Sequence, residues 1–390
     1  MAVAQGYGKT VTSGSVFAYD VADTRNSYIG EPTTNVFVHY GTTGEGSGAD
    51  NGVTFNVNGT GTFIRLGYGQ TFGGYTIKPE DVVYKYDLGA YGCHYHGSDT
   101  TIPNGKYATF SFDYYISPGT ADLGVGDSLL ANFENALGGG INLPNTNTGI
   151  WQSVSFTSGP TSGGTLRSLL YPGACGPRLA SSGYILYKNP QVEYLPHKTP
   201  FVQTTRSVTQ GLLPLVGNST IDLTNVSFDS NAQMTFDGTD DLVDITTNFG
   251  TLSAYTFEYV AYANSGGNMP IASRTNTNFY KYGAYSWRYT HGGVGGEFYH
   301  NYGNDTGWAH WVITYDGSTI SVWENGVSKG TSSSSGTADF SGGIRIGSWA
   351  SSAAYTWDGT IPVMKMYNRG LSAGEVRQNY LHYKTRFNLS

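Results

Sequence analysis

Residues Trp308 to Gly326 read WAHWVITYDGSTISVWENG. Alternation runs through the first half. In an extended chain Trp311, Ile313 and Tyr315 fall on one face, and His310, Val312 and Thr314 on the other. Asp316-Gly317 interrupts this run and Asn325-Gly326 closes the next one; such pairs are strong hairpin signals, because two-residue type I′ turns need φ > 0 at both central positions. The stretch therefore predicts strand, turn, strand, turn, the grammar of an antiparallel sheet.

The same grammar extends outward. AYTFEYVAYA (254–263) alternates Tyr255, Phe257 and Tyr259 against Thr256, Glu258 and Val260. YATFSFDYYIS (107–117) alternates as strongly in the middle of the chain. Among 390 residues there are 55 glycines and 31 tyrosines, while charged residues make up only 13%, about half the usual share. Turn formers with abundant Tyr, Thr, Val and Ser point to an all-β protein of many short strands, and the aromatic content argues against disorder. One helix is predicted, in LSAGEVRQNYLHY (371–383). Ser372 is its N-cap, Glu375 the partner in a capping box, and Leu371 and Val376 the hydrophobic staple. Val376, Tyr380 and Tyr383 then form an i, i+4, i+7 stripe that can lie on a sheet.

The net charge of −7 and the lack of a Lys/Arg run argue against a nucleic-acid partner, since phosphate binding needs clustered cations. No apolar run approaches the roughly 18 residues that membrane insertion needs. The opening MAVAQGYGKTVTSGSVFAYD has no apolar segment of a secretory signal. Cys93 and Cys175 are too few for a disulfide framework and leave open a single bridge or two thiols. An extracellular style without an export address suits a virus particle, which is released by lysis.

Several segments together suggest a family. In order, FDGTDDLVDI (236–245), the opening hairpin, IRIGSW (344–349), WDGTIPVMKMYNRGLSAGEV (357–376) and NYLHYK (379–384) resemble the laminin-G-like, concanavalin A-like jelly rolls of phage and bacterial surface proteins. The resemblance covers about residues 210–385 and implies two face-packed antiparallel sheets. SGYILYKNPQVEYLPHKTPFV (182–202) resembles the closing strand of carbohydrate-binding-module-like jelly rolls found in virion proteins. The expected organisation is a leader or anchor segment at 1–32, a carbohydrate-binding-module-like jelly roll at 33–205 and a laminin-G-like jelly roll at 206–390. SGSVFAYDVADTRNSYIG (13–30) resembles a leader that usually adjoins the laminin-G-like unit, and its apparent continuation begins only at Gly211. The middle unit thus reads as an insertion.

The concanavalin A-like fold includes glucanases, so catalysis has to be weighed. Retaining glycosidases place two carboxyl groups about 5–5.5 Å apart, which the glucanases of this fold achieve with Glu-x-Asp-x-x-Glu on one strand. Here no two glutamates fall within ten positions of each other, and Glu258 stands alone on its strand. A Gly-x-Ser-x-Gly elbow is absent, and GYGQTFG (67–73) lacks the strand–helix context of a dinucleotide site. The expectation is a non-enzyme. GCHYHG (92–97) puts His94 and His96 on one strand face without further ligands in sequence, so a plain polar strand is the better reading. DGTDDLVD (237–244) could bind calcium through Asp237, Asp240 and Asp241, or could be a β-turn between core strands.

Sugar sites pair an aromatic face with amide or carboxylate groups. The loop-like YSWRYTHGG (285–293) offers Tyr285, Trp287, Arg288, Tyr289 and His291, and GSWASSAAYTWDG (347–359) offers Trp349 and Tyr355. The same residues could instead bury against a neighbouring subunit. Trp311, Trp323 and Trp357 read as framework. The expected function is a structural component of a phage particle: a fibre, appendage or surface-decoration protein located in the virion. It would contact other virion proteins and bind host or environmental glycans, as a homotrimer by analogy with fibre proteins. The alternatives are an extracellular bacterial glycan-binding protein and, third, a glucanase.

Overall fold

The computed structural model describes residues 9–39, 49–50, 53–59, 62–87, 91–120, 129–143, 148–171, 176–177, 183–229, 233–264, 269–273, 277–282, 286–292, 294–299, 306–348 and 356–390. Among these the secondary structure is strands and one helix, and every strand pairing is antiparallel. No described helix is long and apolar enough to cross a membrane. The chain divides into two compact units, Thr33–Arg206 and a discontinuous unit made of Met1–Pro32 with Ser207–Ser390.

The discontinuous unit is a jelly-roll sandwich. One sheet runs in the order Ser227–Phe228, Met234–Asp237, Asp358–Tyr367, Tyr255–Ala263, Gly307–Tyr315, Thr319–Glu324, Val327–Ser333, and Ser15–Asp20 also pairs with Asp358–Tyr367. The facing sheet runs Thr220–Asn225, Leu242–Thr246, Ile344–Ile346, Met269–Ser273, Asn278–Tyr282, Ser286–His291, Val294–Tyr299. Alternation explains the interior. Phe257 and Tyr259 from one strand, with Trp311, Ile313 and Tyr315 from its neighbour, enter a core shared with Phe17, Tyr19, Phe236, Phe279 and Ile344. The opposite residues, Glu258, Val260, His310 and Val312, are buried as well, because the helix Ala373–Phe387 lies on the outer face of this sheet. Val376 packs with Val312 and Tyr367, while Tyr380, Tyr383 and Phe387 pack with Val260 and Val363. Both arms of the capping box at Ser372 and Glu375 are formed. The helix continues four residues past the expected Tyr383 and ends at Asn388, whose φ of 50° turns the chain away.

The opening hairpin forms with one correction. Asn325 and Gly326 have φ of 49° and 76°, as a type I′ turn requires. Asp316 has no such value; only Gly317 does, at 102°. The Asp316 carboxylate instead accepts from the backbone N–H groups of Ser318 and Thr319, each at 2.8 Å. The Asp316 N–H also donates to the Thr319 carbonyl at 3.2 Å and Tyr315 pairs with Ile320, so the hairpin closes on the two residues Gly317-Ser318, one position later than the Asp-Gly pair implied.

The middle unit is a two-sheet antiparallel sandwich. Its five-stranded sheet is ordered Trp151–Ser158, Ala108–Ile116, Tyr184–Glu193, Val83–Asp87, Thr62–Leu66. The other is ordered Gly140–Leu143, Leu129–Asn135, Gly164–Tyr171, Tyr91–Ile102, Val53–Gly59, Ala49–Asp50, with Gly176–Pro177 beside Tyr91–Ile102. Phe110, Phe133 and Phe156 pack together in the core. The ends of this unit meet, since Thr205–Arg206 pairs with Thr33–Thr34. GYGQTFG is a turn leading into the small hairpin of Thr71–Phe72 and Tyr75–Thr76.

Candidate functional site

Four aromatic side chains converge where the helix stops. Tyr262 and Trp308 are directly opposite one another on neighbouring strands, on the outer face of the sheet. Their ring centroids are 5.3 Å apart at an interplanar angle of 64°. Phe387, the last helical residue, meets Trp308 at 4.8 Å and 45°. Beyond Phe387 the helix no longer covers the sheet, so Tyr262 stays 37% exposed and Trp308 half-buried. Tyr28, from the segment after the first strand, also lines the groove. The resulting groove has a volume of about 800 Å³, within the range of small-molecule sites.

Polar groups stand among these rings. Thr360 is the register partner of Tyr262 on the next strand, Thr235 lies on strand Met234–Asp237, and Asp229 and Gln233 precede that strand. Arg386 lies over the Phe387 ring at 4.5 Å. Its guanidinium donates twice to Asp20, at 2.5 and 2.6 Å, and those bonds hold its pKa above the ordinary arginine value. Gly359 permits the close strand approach underneath: its φ is 146°, and a Cβ there would collide with the Tyr262 carbonyl oxygen.

A second constellation lies beneath the helix. Glu258 is fully buried, and it accepts from His310 Nε2 at 2.9 Å, Tyr367 at 2.8 Å and Asn379 Nδ2 at 2.8 Å. Burial pushes its carboxyl pKa up, but the His310 hydrogen bond, the Lys365 charge and the Tyr367 hydroxyl outweigh this and hold it below the ordinary value. Burial lowers the pKa of Lys365 against the pull of Glu258. Asn379 Oδ1 accepts from the Val11 N–H at 2.8 Å, and the Tyr367 hydroxyl, whose proton goes to Glu258, lies 3.1 Å from the Val11 carbonyl. The cluster therefore fastens the N-terminal segment to the helix. With no exposed surface, Glu258 cannot reach a substrate in solution.

Of the residues singled out from sequence, Arg288, Tyr289 and His291 lie on strand Ser286–His291 and not on the expected loop. Tyr289 and His291 point into the core. The Tyr289 hydroxyl meets Ser332 at 2.9 Å. His291 stacks beside Tyr255 and Tyr315 and hydrogen-bonds the Tyr255 hydroxyl through Nδ1 at 3.0 Å. Arg288 is half-buried on the same strand. The correction has a simple cause, since SWRYTH alternates as a strand and its inward residues fill the sandwich. Trp287 is on this strand too, with its side chain outside the described residues, while Tyr285, Trp349 and Tyr355 lie outside them entirely. Trp311 and Trp357 are in the core, and Trp323 packs with Val312 beneath the helix. His94 and His96 are on strand Tyr91–Ile102, with side chains outside the described residues, as is the side chain of Cys93; Cys175 is outside altogether.

Asp237, Asp240 and Asp241 offer carboxylate oxygens within 4.8 Å of one another. Asp241 already accepts from the Ser227 hydroxyl at 2.9 Å and the Asp237 N–H at 2.8 Å, and Asp237 accepts from the Thr239 N–H at 2.7 Å. Burial, followed by its two acidic neighbours, raises the Asp241 pKa. Three carboxylates, each mono- or bidentate, can supply part of the six to eight oxygens calcium takes. The cluster thus has donors of the right type, while the turn's own hydrogen bonds already engage Asp237 and Asp241.

Residues 237–377 match the family model described as the concanavalin A-like lectin/glucanases superfamily (Laminin_G_3). The fold of the discontinuous unit is thus a lectin-like jelly roll. No curated protein matches the chain in sequence. Among solved structures, similarity extends to the ligand-binding domain of botulinum neurotoxin serotype D in complex with N-acetylneuraminic acid, at 12% identity and a TM-score of 0.36 over 45% of this chain and 49% of that one. The botulinum neurotoxin serotype G binding domain matches at 15% and 0.36, over 44% and 48% of the two chains. Domain 4 of AbnA, an extracellular GH43 arabinanase from Geobacillus stearothermophilus, in complex with arabinotriose, matches at 12% and 0.32, over 42% and 82%. The chain spans about half the length of the neurotoxin domains it matches.

Proposed function

We propose that this protein is a non-enzymatic, lectin-like adhesion component of a phage particle, displayed on a fibre, appendage or capsid surface, and that it binds glycans. The observation that carries the binding is the groove in which Tyr262, Trp308 and Phe387 stand beside amide, hydroxyl and charged groups. Aromatic faces cover the C–H surfaces of sugars, and convergent polar groups take the hydroxyls. Glu258, alone on its strand and fully buried, supports a binding role over hydrolysis. The particle setting rests on composition: low charge, abundant glycine and tyrosine, and many short strands. Many copies on one particle would turn weak single sites into firm attachment.

The test is a glycan array probed with the full chain, paired with imaging of labelled protein on purified particles. Binding in the millimolar range or tighter and a particle-associated label are expected. No binding to any glycan would remove the adhesion reading, and reducing sugar released from β-glucans would overturn the non-enzyme assignment.

A further inference from the structure

The geometry points to a ligand class: we infer that the groove at the end of the helix binds an uncharged, bent oligosaccharide and rejects both acidic sugars and flat polysaccharide surfaces. This rests on the glycan-binding reading above and adds which glycans are taken.

Charge is the first argument. Acidic sugars, whether sialylated, sulfated or uronic, need a cation or a ring of donors at the carboxylate or sulfate. Among the described lining residues the one cation is Arg386. Its fork is already closed on Asp20 through two hydrogen bonds, so the pair presents no net charge. Asp229, the one carboxylate among the described lining residues, adds no positive charge. The remaining polar lining, including Gln233, Thr235 and Thr360, is amide and hydroxyl, suited to hydroxyl groups.

Shape is the second. A flat polysaccharide surface stacks on rings that share a plane. Tyr262 and Trp308 meet at 64°, and Trp308 and Phe387 at 45°. Phe387 is buried behind Trp308 with Arg386 over its face, so of these three rings Tyr262 and Trp308 are the ones open to the groove. They do not share a plane, and sugar rings lying against both must turn relative to one another. Only a bent or branched soluble segment meets that requirement.

The experiment measures binding of the full chain to three probes: neutral soluble oligosaccharides, sialylated or sulfated oligosaccharides, and crystalline cellulose. Binding confined to the neutral soluble set is expected. Trp308→Ala and Tyr262→Ala should each weaken it at least tenfold, while Tyr68→Ala, at a 74% exposed tyrosine of the middle unit, leaves it unchanged. Because Tyr262 is 37% exposed, its removal does not open the core and the test does not depend on refolding. Asp20→Asn releases Arg386 and should raise affinity for acidic oligosaccharides relative to neutral ones. Preference of the unaltered chain for acidic glycans or for cellulose would overturn the class. Neutral binding untouched by Trp308→Ala and Tyr262→Ala would overturn the groove assignment while leaving the adhesion reading standing. No binding at all, or a dimer that Trp308→Ala dissociates in sedimentation, would remove both.

Discussion

A carboxylate without exposed surface must be neutralised by what touches it, and Glu258 is held by His310, Tyr367 and Asn379 with Lys365 nearby. Replacing it by glutamine leaves Lys365 buried without its anion and His310 without its carboxylate acceptor. Loss of one partner of a buried pair costs about 3–5 kcal/mol, so Glu258→Gln should lower unfolding free energy by about that amount in a urea titration. The pH response follows from the same bonds. The folded carboxyl titrates below its unfolded value, so its contribution is present above the ordinary carboxylate range and lost as pH falls through the folded pKa. In the middle unit, burial and then the charge of Arg65 lower the pKa of His39 from 6.5 to about 4. The unfolded chain takes up this proton first on acidification. Stability of the middle unit should therefore decline from about pH 6.5 to about 4, and a His39→Asn chain should show a flatter Tm profile across that window. Little of this was legible beforehand. Glu258 reads as solitary along its strand because its partners arrive from a neighbouring strand, the last strand and the helix.

The helix is the element most fully written in local sequence. Ser372 and Glu375 form both arms of the capping box, and Arg369 and then the Ser372 N–H draw the Glu375 carboxyl down to about 2. Ser372→Ala should cost about 1 kcal/mol, measured by thermal or urea unfolding. Strand alternation was equally readable in Tyr255–Ala263 and Gly307–Tyr315. What alternation does not reveal is whether the outward face meets water or a helix. His310 and Val312 are outward by register and buried by packing. The groove was illegible for a related reason. Trp308 belongs to the same strand as the core residue Trp311, and its partial exposure depends on where the helix ends, set by the left-handed turn at Asn388. SWRYTH shows the converse error, in which polar and aromatic residues between glycines read as a loop although their period is that of a strand.

At the scale of the whole molecule, each unit closes its own ends. Thr34 pairs with Thr205 in the middle unit, and the Ile29 N–H donates to the Gly211 carbonyl at 2.9 Å in the discontinuous one. Removing 33–206 and joining the flanks by a short linker should therefore leave a folded discontinuous unit. Hydrogen exchange tests this directly: amides of Phe17 and Tyr19 should stay protected, and fast exchange there would show that the unit needs its insert. The all-β class was visible from composition and alternation alone, since low charge with many turn formers admits few other architectures. The groove was not, because its lining comes from six separated segments.

The pairing of Ser15–Asp20 with Asp358–Tyr367 also sets a timetable. The Tyr19 hydroxyl donates to the Ile361 carbonyl across 342 positions of chain. At about 5–20 residues per second on a ribosome, the first strand waits roughly 17–70 s for its partner. All of the middle unit is made within that interval. Through it Phe17 and Tyr19, fully buried in the finished fold, have no native sheet to enter. The newborn chain thus carries an unsheltered sticky edge for most of its synthesis, and the yield of correctly assembled protein should depend on what shields that edge until the last strand emerges.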